Sequence, residues 1–244
     1  MDKPHLVFLT GAGMSAESGV PTFRDALTGL WSRFDAEALA TPAAFRRDPE
    51  LVWGWYRWRA AQLLDVQPHA GHDAIATIER RGFKVDVITQ NVDDLHERAG
   101  NRNVVHLHGK LLRSRCIDCG ARRDPDPITL DPPSSREGER EAPPRCEVCG
   151  GQFRPDVVWF GEALPQAEWE YAQDALARCD RVIVVGTSGL VQPAASLPSL
   201  ARALGKPVLE INPQPSAITP EVDAFWALPA STGLTRLLDE LDNA

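Results

Sequence analysis

The stretch GAGMSAESGVPTFR, at residues 11–24, decides the fold of this chain. It follows a short apolar run from His5 to Thr10, which is typical of a buried strand. A strand that leads into a Gly-x-Gly-x-x-(Gly/Ala) turn, here Gly11, Gly13 and Ala16, lets the backbone approach a pyrophosphate. The glycines permit a tight turn and remove side chains that would hold phosphates away. We therefore expect a dinucleotide to bind here, with free N–H groups at the start of the next helix.

The composition bounds the class of protein. A chain of 244 residues holds one α/β domain of ordinary size with a smaller inserted module. A net charge of -8 argues against nucleic acid as a partner and slightly favours a cationic peptide. The N-terminus does not resemble a signal peptide, and no apolar run approaches the roughly 20 residues that cross a bilayer. We expect a cytoplasmic protein without a membrane partner; the sequence leaves the oligomeric state open, with a monomer as the expectation.

Apolar, strand-like runs alternate with helical patterns along most of the chain. The runs lie at residues 84–89, 104–107, 156–159, 181–186 and 207–211. This alternation predicts an α/β fold, a Rossmann-like, doubly wound parallel sheet covered on both faces. Two segments interrupt it, a helical one at 35–66 and a proline-rich one at 110–154 that holds four of the five cysteines. We predict a Rossmann-like domain of residues 1–34, 67–109 and 155–244, and a small domain of residues 35–66 and 110–154. Residues 124–145 are expected to form a mobile tip.

Four cysteines form two Cys-x-x-Cys pairs, Cys116 with Cys119 and Cys146 with Cys149, and a glycine follows each pair. Such pairs let four thiolates converge on Zn²⁺ as a zinc ribbon. Four protein ligands leave no open position, so the predicted zinc is structural. The alternative, two disulfides, is disfavoured in a reducing compartment. Cys179 is expected to be a buried thiol.

Polar side chains follow two predicted strands. Gln90, Asn91 and Asp93 come directly after one strand, where ligands bind in parallel sheets, and they can hold ribose hydroxyls and a carboxamide. The alternative is an ordinary helix N-terminus with an acid in its first turn. His108 ends another run, and the near-neutral pKa of an imidazole suits a general base. The remaining histidines that we considered are expected to be satisfied core residues: His5, His69, His72 and His106.

The helix that begins at Asp48-Pro49 carries an unusual arginine. Tyr56 and Arg59 are three residues apart, so they share one face, and Val52 and Leu63 extend the same stripe. An arginine on an apolar stripe invites a ligand for its charge. The alternative is that its stem packs on the core while the guanidinium reaches water or an acid.

Together, residues 11–24, the Thr-Gln-Asn-Val-Asp sequence at 89–93, His108-Gly109 and the cysteine pairs resemble the sirtuin family, in family order from Leu6 to about Leu238. The resemblance implies an NAD-dependent protein-lysine deacylase whose partner is an acylated lysine in a protein or peptide. The acyl oxygen would attack the nicotinamide ribose, releasing nicotinamide, and the products would be lysine and O-acyl-ADP-ribose. His108 would act as general base, with Asn91 and Asp93 completing the catalytic set.

The resemblance also assigns contacts residue by residue. The implied NAD contacts are Gly11, Ala12, Gly13, Ser15, Ala16, Glu17, Phe23, Arg24, Gln90, Asn91, Asp93, Gly186, Thr187, Ser188, Asn212, Pro213, Gln214 and Ala230. The implied contacts to the substrate peptide are Val158, Phe160, Gly161 and Glu162, at an edge that takes the peptide as an added strand.

The Tyr56-x-x-Arg59 pair resembles the sirtuin class that removes succinyl and malonyl groups. A dicarboxylic acyl group ends in a carboxylate that loses its water in the tunnel, and a phenol with a guanidinium satisfies that charge. An acetyl group offers nothing to bond. Ala40 matches the small residue that leaves room for the longer chain in this class.

Four other functions compete with this interpretation. A plain deacetylase would use the same catalytic residues, and a mono-ADP-ribosyltransferase would share the fold. A Rossmann dehydrogenase is disfavoured because no acid closes a second strand about 20 positions after Gly13. A non-enzymatic zinc-ribbon binding module is disfavoured by the acidic charge.

Overall fold

The structure is a computed structural model that describes residues 3–20, 39–126 and 139–243. The chain divides into two units. The first comprises Met1–Thr22, Gln67–Leu107 and Leu164–Ala244, and the second comprises Phe23–Val66 and His108–Ala163. Residues 155–163 therefore belong to the second unit, whereas the sequence boundary put them in the Rossmann-like domain.

The described residues form nine strands. These are β1 (His5–Thr10), β2 (Lys84–Thr89), β3 (Val104–His106), β4 (Gly109–Cys116), β5 (Arg122–Arg123), β6 (Phe153–Val157), β7 (Arg181–Val185), β8 (Val208–Ile211) and β9 (Ala224–Trp226). Six of them form the sheet of the first unit in the order β3-β2-β1-β7-β8-β9. All neighbours in it are parallel. Counted along the chain this is the 3-2-1-4-5-6 order of a Rossmann fold, which confirms the predicted class.

Helices cover both faces of this sheet. The helices are α1 (Gly13–Ala16), α2 (Pro42–Arg47), α3 (Pro49–Asp65), α4 (Ala70–Arg80), α5 (Leu95–Ala99), α6 (Gln166–Arg178), α7 (Leu197–Ala203) and α8 (Ala230–Asp242). Leu6 and Phe8 of β1 point to the core under α4 and α8, whereas Val7 and Leu9 point to the core under α6 and α7. Because both faces are covered, β1 is apolar at successive positions. Within the described ranges no helix combines the length and apolar character needed to span a membrane.

The second unit is built on an antiparallel sheet in the order β5-β4-β6. The run at 156–159 was predicted as a strand of the main sheet, and this was wrong. The strand is β6, which pairs with β4 in the second unit, because a polar insertion with its own sheet supplies it with a partner. Trp53 of α3 packs against Cys116, Cys146 and Phe153, which gives this unit a small apolar core.

The starts of α2 and α3 follow the sequence signals. The Thr41 hydroxyl accepts a hydrogen bond from the N–H of Ala44 at 3.0 Å. The Asp48 carboxylate accepts one from the N–H of Leu51 at 3.1 Å. A proline stands at the start of each helix, where its missing N–H costs no hydrogen bond.

The segment expected to be a mobile tip is partly fixed on α3. The N–H of Glu141 donates to the carbonyl of Glu50 at 3.1 Å. Arg140 donates to both carboxylate oxygens of Asp48, at 2.6 and 2.7 Å. The expectation therefore fails at residues 139–141, because local charge composition does not show that an acid-rich helix start lies opposite Arg140. Residues 127–138 lie outside the described part of the chain.

Candidate active site

The carboxyl ends of β1 and β7 form a backbone-lined cradle at the point where the strand order of the first unit reverses. Gly11 and Gly13 follow β1, and Gly186 follows β7. A Cβ atom on Gly13 would lie 2.8 Å from the Cα of Gly186. A Cβ atom on Gly186, whose φ is +62°, would lie 2.3 Å from the nitrogen of Met14. Only glycine permits the two loops to come this close. The surface of the cradle is therefore formed by backbone atoms without side chains, at the place where such sheets bind dinucleotides.

The N–H groups of Gly11 and Gly13 both form hydrogen bonds within the protein. Gly11 donates to the carbonyl of Val185 at 3.0 Å, and Gly13 donates to that of Gly186 at 2.8 Å. These bonds tie the ends of β1 and β7 together. The glycines therefore serve the site by their missing side chains and not by their N–H groups.

Asn91 and Asp93 come together with Ser15 beside this cradle. The Ser15 hydroxyl donates to Oδ2 of Asp93 at 2.8 Å and accepts from Nδ2 of Asn91 at 3.0 Å. All three residues are buried. Burial raises the pKa of Asp93, against the lowering effect of the Ser15 hydrogen bond. Asp93 also accepts from the N–H of Leu95 at the start of α5, at 3.2 Å, as the helix-start alternative expects.

The other predicted cofactor residues of the first unit lie at the same edge of the sheet. Nε2 of Gln90 donates to the Thr187 hydroxyl at 3.2 Å. Nδ2 of Asn212 donates to the Thr187 carbonyl at 3.0 Å. These bonds connect the ends of β2, β7 and β8. Pro213 and Gln214 are exposed beyond β8, and Ala230 is buried at the start of α8.

The carboxylate of Glu17 accepts hydrogen bonds from the first turn of α8. Its carboxylate accepts from the N–H of Ser231 at 3.0 Å and from the Ser231 hydroxyl at 2.5 Å. Burial raises the pKa of Glu17, but the bonds from Ser231 outweigh it and leave the pKa below its ordinary value. The carboxylate thus stabilises the N-terminus of α8 and fixes the exit of the glycine loop. Phe23 and Arg24 lie outside the described residues.

In the second unit, His108 stands just before a glycine that the sheet requires. The carbonyl of His108 accepts from the N–H of Val158 at 2.8 Å. Gly109 has a φ of +79°, and a Cβ atom there would lie 2.1 Å from the carbonyl oxygen of Asp156. The close pairing of β4 and β6 thus fixes the backbone beside the partly exposed imidazole of His108.

The predicted peptide-binding residues follow the edge strand β6. The N–H of Phe160 donates to the carbonyl of Ala40 at 2.9 Å. Phe160 and Gly161 are exposed. Glu162 forms an ion pair within the protein, because Nη1 and Nη2 of Arg154 donate to its carboxylate at 2.5 and 3.0 Å. Its role in the structure is to hold this buried arginine.

Tyr56 and Arg59 lie on one face of α3, as predicted. The buried Tyr56 hydroxyl accepts from Nε1 of Trp159 at 2.9 Å, and burial raises its pKa to about 12, so the phenol is protonated. Cζ of Arg59 lies 4.9 Å from the ring centroid of Trp55 and 5.8 Å from that of Tyr56. Burial lowers the pKa of Arg59. Across the described ranges no carboxylate pairs with its guanidinium, so the salt-bridge alternative is not realised there.

The four predicted zinc ligands converge in the second unit. Their sulfur atoms lie within 4.8 Å of one another. The separations of 3.5 Å (Cys116 to Cys149) and 3.7 Å (Cys119 to Cys146) exceed the about 2.05 Å of a disulfide. They agree with the roughly 3.8 Å edge of a tetrahedron around Zn²⁺.

The electrostatics of these thiols also favour a cation. The N–H of Cys119 is the largest influence on Cys116, whose pKa is lowered to about 7. The N–H of Gly151 lowers the pKa of Cys149, but the sulfurs of Cys119 and Cys116 outweigh it and raise that pKa to about 12. The donor set, four cysteine sulfurs brought together, fits structural zinc.

Comparison with known proteins places this geometry in a family. The family model described as "Sir2 family" matches residues 11–193. The chain belongs to the Sir2 family. A relative named NAD-dependent protein deacylase 1, from Pseudomonas aeruginosa PAO1, is 58% identical over 211 residues, covering 86% of this chain and 83% of its own. NAD-dependent protein deacylase 2 from Pyrobaculum aerophilum is 52% identical, covering 97% of this chain and 91% of its own. A solved Sir2 homologue–NAD complex has a TM-score of 0.86 and 45% identity, covering 98% of this chain and 90% of that one.

Three functional contacts of this Sir2 chain escaped the sequence reasoning. They are the bond from Trp159 to Tyr56, the clamp of Arg154 on Glu162, and the bond from Ser231 to Glu17. A weak signal existed for the second, because Arg154 lies in a strand with buried neighbours and Glu162 follows eight residues later. The other two join distant parts of the sequence, and no local pattern marks them.

Proposed function

We propose that this Sir2 chain is an NAD-dependent protein-lysine deacylase that prefers succinyl- and malonyl-lysine. Family membership and the named relatives support deacylation. The observation that carries the acyl preference is the pair on α3, a protonated phenol beside a guanidinium that no described carboxylate neutralises. This is the donor set that a terminal acyl carboxylate needs.

Two charge-assisted hydrogen bonds would set the size of this preference. Hydrogen bonds to a charged group contribute about 1.5–3 kcal/mol each. Each such bond therefore changes the rate ratio by about tenfold or more, and two act on the dicarboxylic groups. An acetyl group forms neither bond, and it supplies no counter-ion for Arg59, which has none among the described residues. Ala40 is buried and small, which leaves length for a longer acyl chain.

The first unit binds the dinucleotide. NAD supplies the ADP-ribose that accepts the acyl group. The glycine cradle admits the pyrophosphate, and Gln90, Thr187, Ser188 and Asn212 provide amide and hydroxyl groups for the riboses. Asn91 and Asp93, held by Ser15, bind the nicotinamide end.

The second unit binds the acylated lysine. His108 acts as general base toward a ribose hydroxyl, because an imidazole nitrogen can accept a proton. The peptide adds as a strand beyond β6, at Val158, Phe160 and Gly161, where backbone groups dominate recognition. Sequence preference among substrate proteins is accordingly loose. Cysteines that bind zinc and form no disulfide are typical of a reducing compartment, so the enzyme is proposed to be cytoplasmic. A monomer stays our expectation for its oligomeric state.

The test is nicotinamide release from NAD with one peptide that carries acetyl-, malonyl- or succinyl-lysine. Wild type should favour the dicarboxylic peptides, and the Tyr56→Phe, Arg59→Met double variant should lose that advantage. Equal rates on all three peptides in wild type would remove the acyl preference and leave a deacetylase. ADP-ribosylated protein in place of deacylated peptide would indicate a transferase.

A further inference from the structure

The hydrogen bond between Trp159 and Tyr56 fixes the direction of the phenol proton. The indole N–H is a donor only, whereas a tyrosine hydroxyl donates one proton and accepts on its lone pairs. Trp159 donates to the Tyr56 oxygen at 2.9 Å, so the hydroxyl must be the acceptor in this pair. The proton of the Tyr56 hydroxyl then points away from the indole and can be donated to a further acceptor. In the part of the chain that the structure describes, no side chain or carbonyl receives it.

The indole itself is held in place from several sides. Cζ of Arg154 lies 3.3 Å above the Trp159 ring centroid, and the ring of Phe45 lies 5.4 Å away. Arg154 is clamped by Glu162 and donates to the carbonyl of Val157 at 2.8 Å. Glu162 also accepts from the backbone N–H of Trp159 at 2.9 Å. The donor that orients Tyr56 therefore cannot turn away, and both side chains are buried, at 1% and 4% exposure.

We propose that Trp159 is a positioning residue for acyl selectivity, which acts by holding the Tyr56 hydroxyl in its donating orientation toward the terminal carboxylate of the acyl group. The inference rests on the proposed function, because it concerns the same phenol. A hydroxyl without the indole rotates about its C–O bond and points its proton elsewhere for part of the time. With Trp159 in place, the donor is already oriented before a dicarboxylic acyl group arrives.

The chain offers a matched pair of variants. Trp159→Phe keeps an aromatic ring next to Phe45 and Arg154, and it removes the indole donor together with part of the ring volume. Trp53→Phe is the control, because Trp53 is equally buried and stands on α3 with Tyr56, yet its indole N–H has no partner among the described residues. The measured quantity is the ratio of kcat/KM for succinyl-lysine peptide over acetyl-lysine peptide.

We expect Tyr56→Phe to lower this ratio by about tenfold, Trp159→Phe to lower it by a smaller factor of about threefold or more, and Trp53→Phe to leave it within about twofold. In a Tyr56→Phe background, Trp159→Phe should lower the ratio no further, because its effect passes through the hydroxyl. A ratio that falls in Tyr56→Phe but not in Trp159→Phe would overturn the inference and leave the proposed function standing. A wild type without a dicarboxylic preference would overturn both.

A second measurement does not depend on activity or on the stability of Trp159→Phe. The ¹H–¹⁵N signal of the Trp159 indole should move upfield in Tyr56→Phe, since its acceptor is gone. The Trp53 signal should stay in place. An unmoved Trp159 signal would show that the hydrogen bond does not form, whatever the acyl preference.

Discussion

Ser15 donates its hydroxyl proton to Asp93, with 2.8 Å between Oγ and Oδ2, although 78 residues separate them in sequence. The same hydroxyl accepts from Asn91 at 3.0 Å. One small side chain thus connects the glycine loop after β1 to the polar segment after β2. It also favours the ionised form of the buried Asp93 carboxyl group, because its hydrogen bond opposes the rise in pKa that burial causes.

Ser15→Ala should weaken the use of NAD and shift the pH dependence of the enzyme. Without the hydroxyl, the pKa of Asp93 rises further, so protonation sets in at a higher pH as the solution is acidified. The acid limb of kcat/KM for NAD should move to higher pH, and the value at neutral pH should fall by about tenfold. Ser18→Ala is the matched control, since the buried Ser18 hydroxyl has no partner among the described residues. An acid limb at the wild-type position would contradict this role of Ser15.

Removal of one zinc ligand should unfold the second unit. Cys116→Ser breaks the four-sulfur set, and a metal site of this kind supplies folding free energy directly. We expect one zinc per chain in wild type by elemental analysis, none in Cys116→Ser, and a lower melting temperature for that variant. Cys179→Ser, a buried cysteine of the first unit, should keep its zinc. Full zinc content in Cys116→Ser would refute the assignment.

A methyl group at Gly109 should be far more damaging than one at Gly82. Both glycines have positive φ, +79° and +90°. A Cβ atom at Gly82 meets nothing within 4 Å, whereas one at Gly109 would lie 2.1 Å from the Asp156 carbonyl oxygen. Gly82→Ala should cost about 1 kcal/mol of unfolding free energy, the usual penalty of a left-handed residue. Gly109→Ala should cost several times more and reduce activity, because it displaces His108. Urea denaturation of both variants measures the difference. Equal losses of unfolding free energy would argue against the close approach of Gly109 to the Asp156 carbonyl oxygen.

Two buried histidines should make the fold sensitive to acid. Burial lowers the pKa of His72 to about 2 and that of His96 to about 3, and their rings lie 5.0 Å apart. In the unfolded chain both titrate near 6.5, so below that pH the unfolded state binds more protons. The contribution of these histidines to the free energy of unfolding is therefore fully present above about pH 6.5. Below that pH the free energy of unfolding falls by about 1.4 kcal/mol per pH unit for each histidine, down to about pH 3.

Urea denaturation between pH 7.5 and 5 measures this slope. In the wild type the backbone N–H of His69 donates to Nδ1 of His72 at 3.3 Å. The His72→Asn variant keeps an acceptor at this position in its side-chain oxygen. That variant should lose a slope equivalent to about one proton. A slope identical to that of wild type would mean that His72 is protonated in the folded chain.

Features that depend on neighbours in sequence were predictable. The caps at Thr41 and Asp48, the buried β1, the cysteine knuckles and the glycine turn after β1 each follow from a few adjacent residues. Periodicity and capping act over one to four positions, so the sequence contains all their partners. The alternation of strands and helices then predicted the Rossmann-like sheet.

Features that depend on distant partners required the tertiary structure. The strand order assigns β6 to the second sheet, although its apolar pattern alone fits either sheet. Glu17 and Ser231 are 214 residues apart, and Tyr56 and Trp159 are 103 apart. The sequence by itself determined that Tyr56 and Arg59 share a helix face. Only the tertiary structure decided which way the Tyr56 proton points, because a hydroxyl takes its direction from whichever donor the folded chain brings to its oxygen.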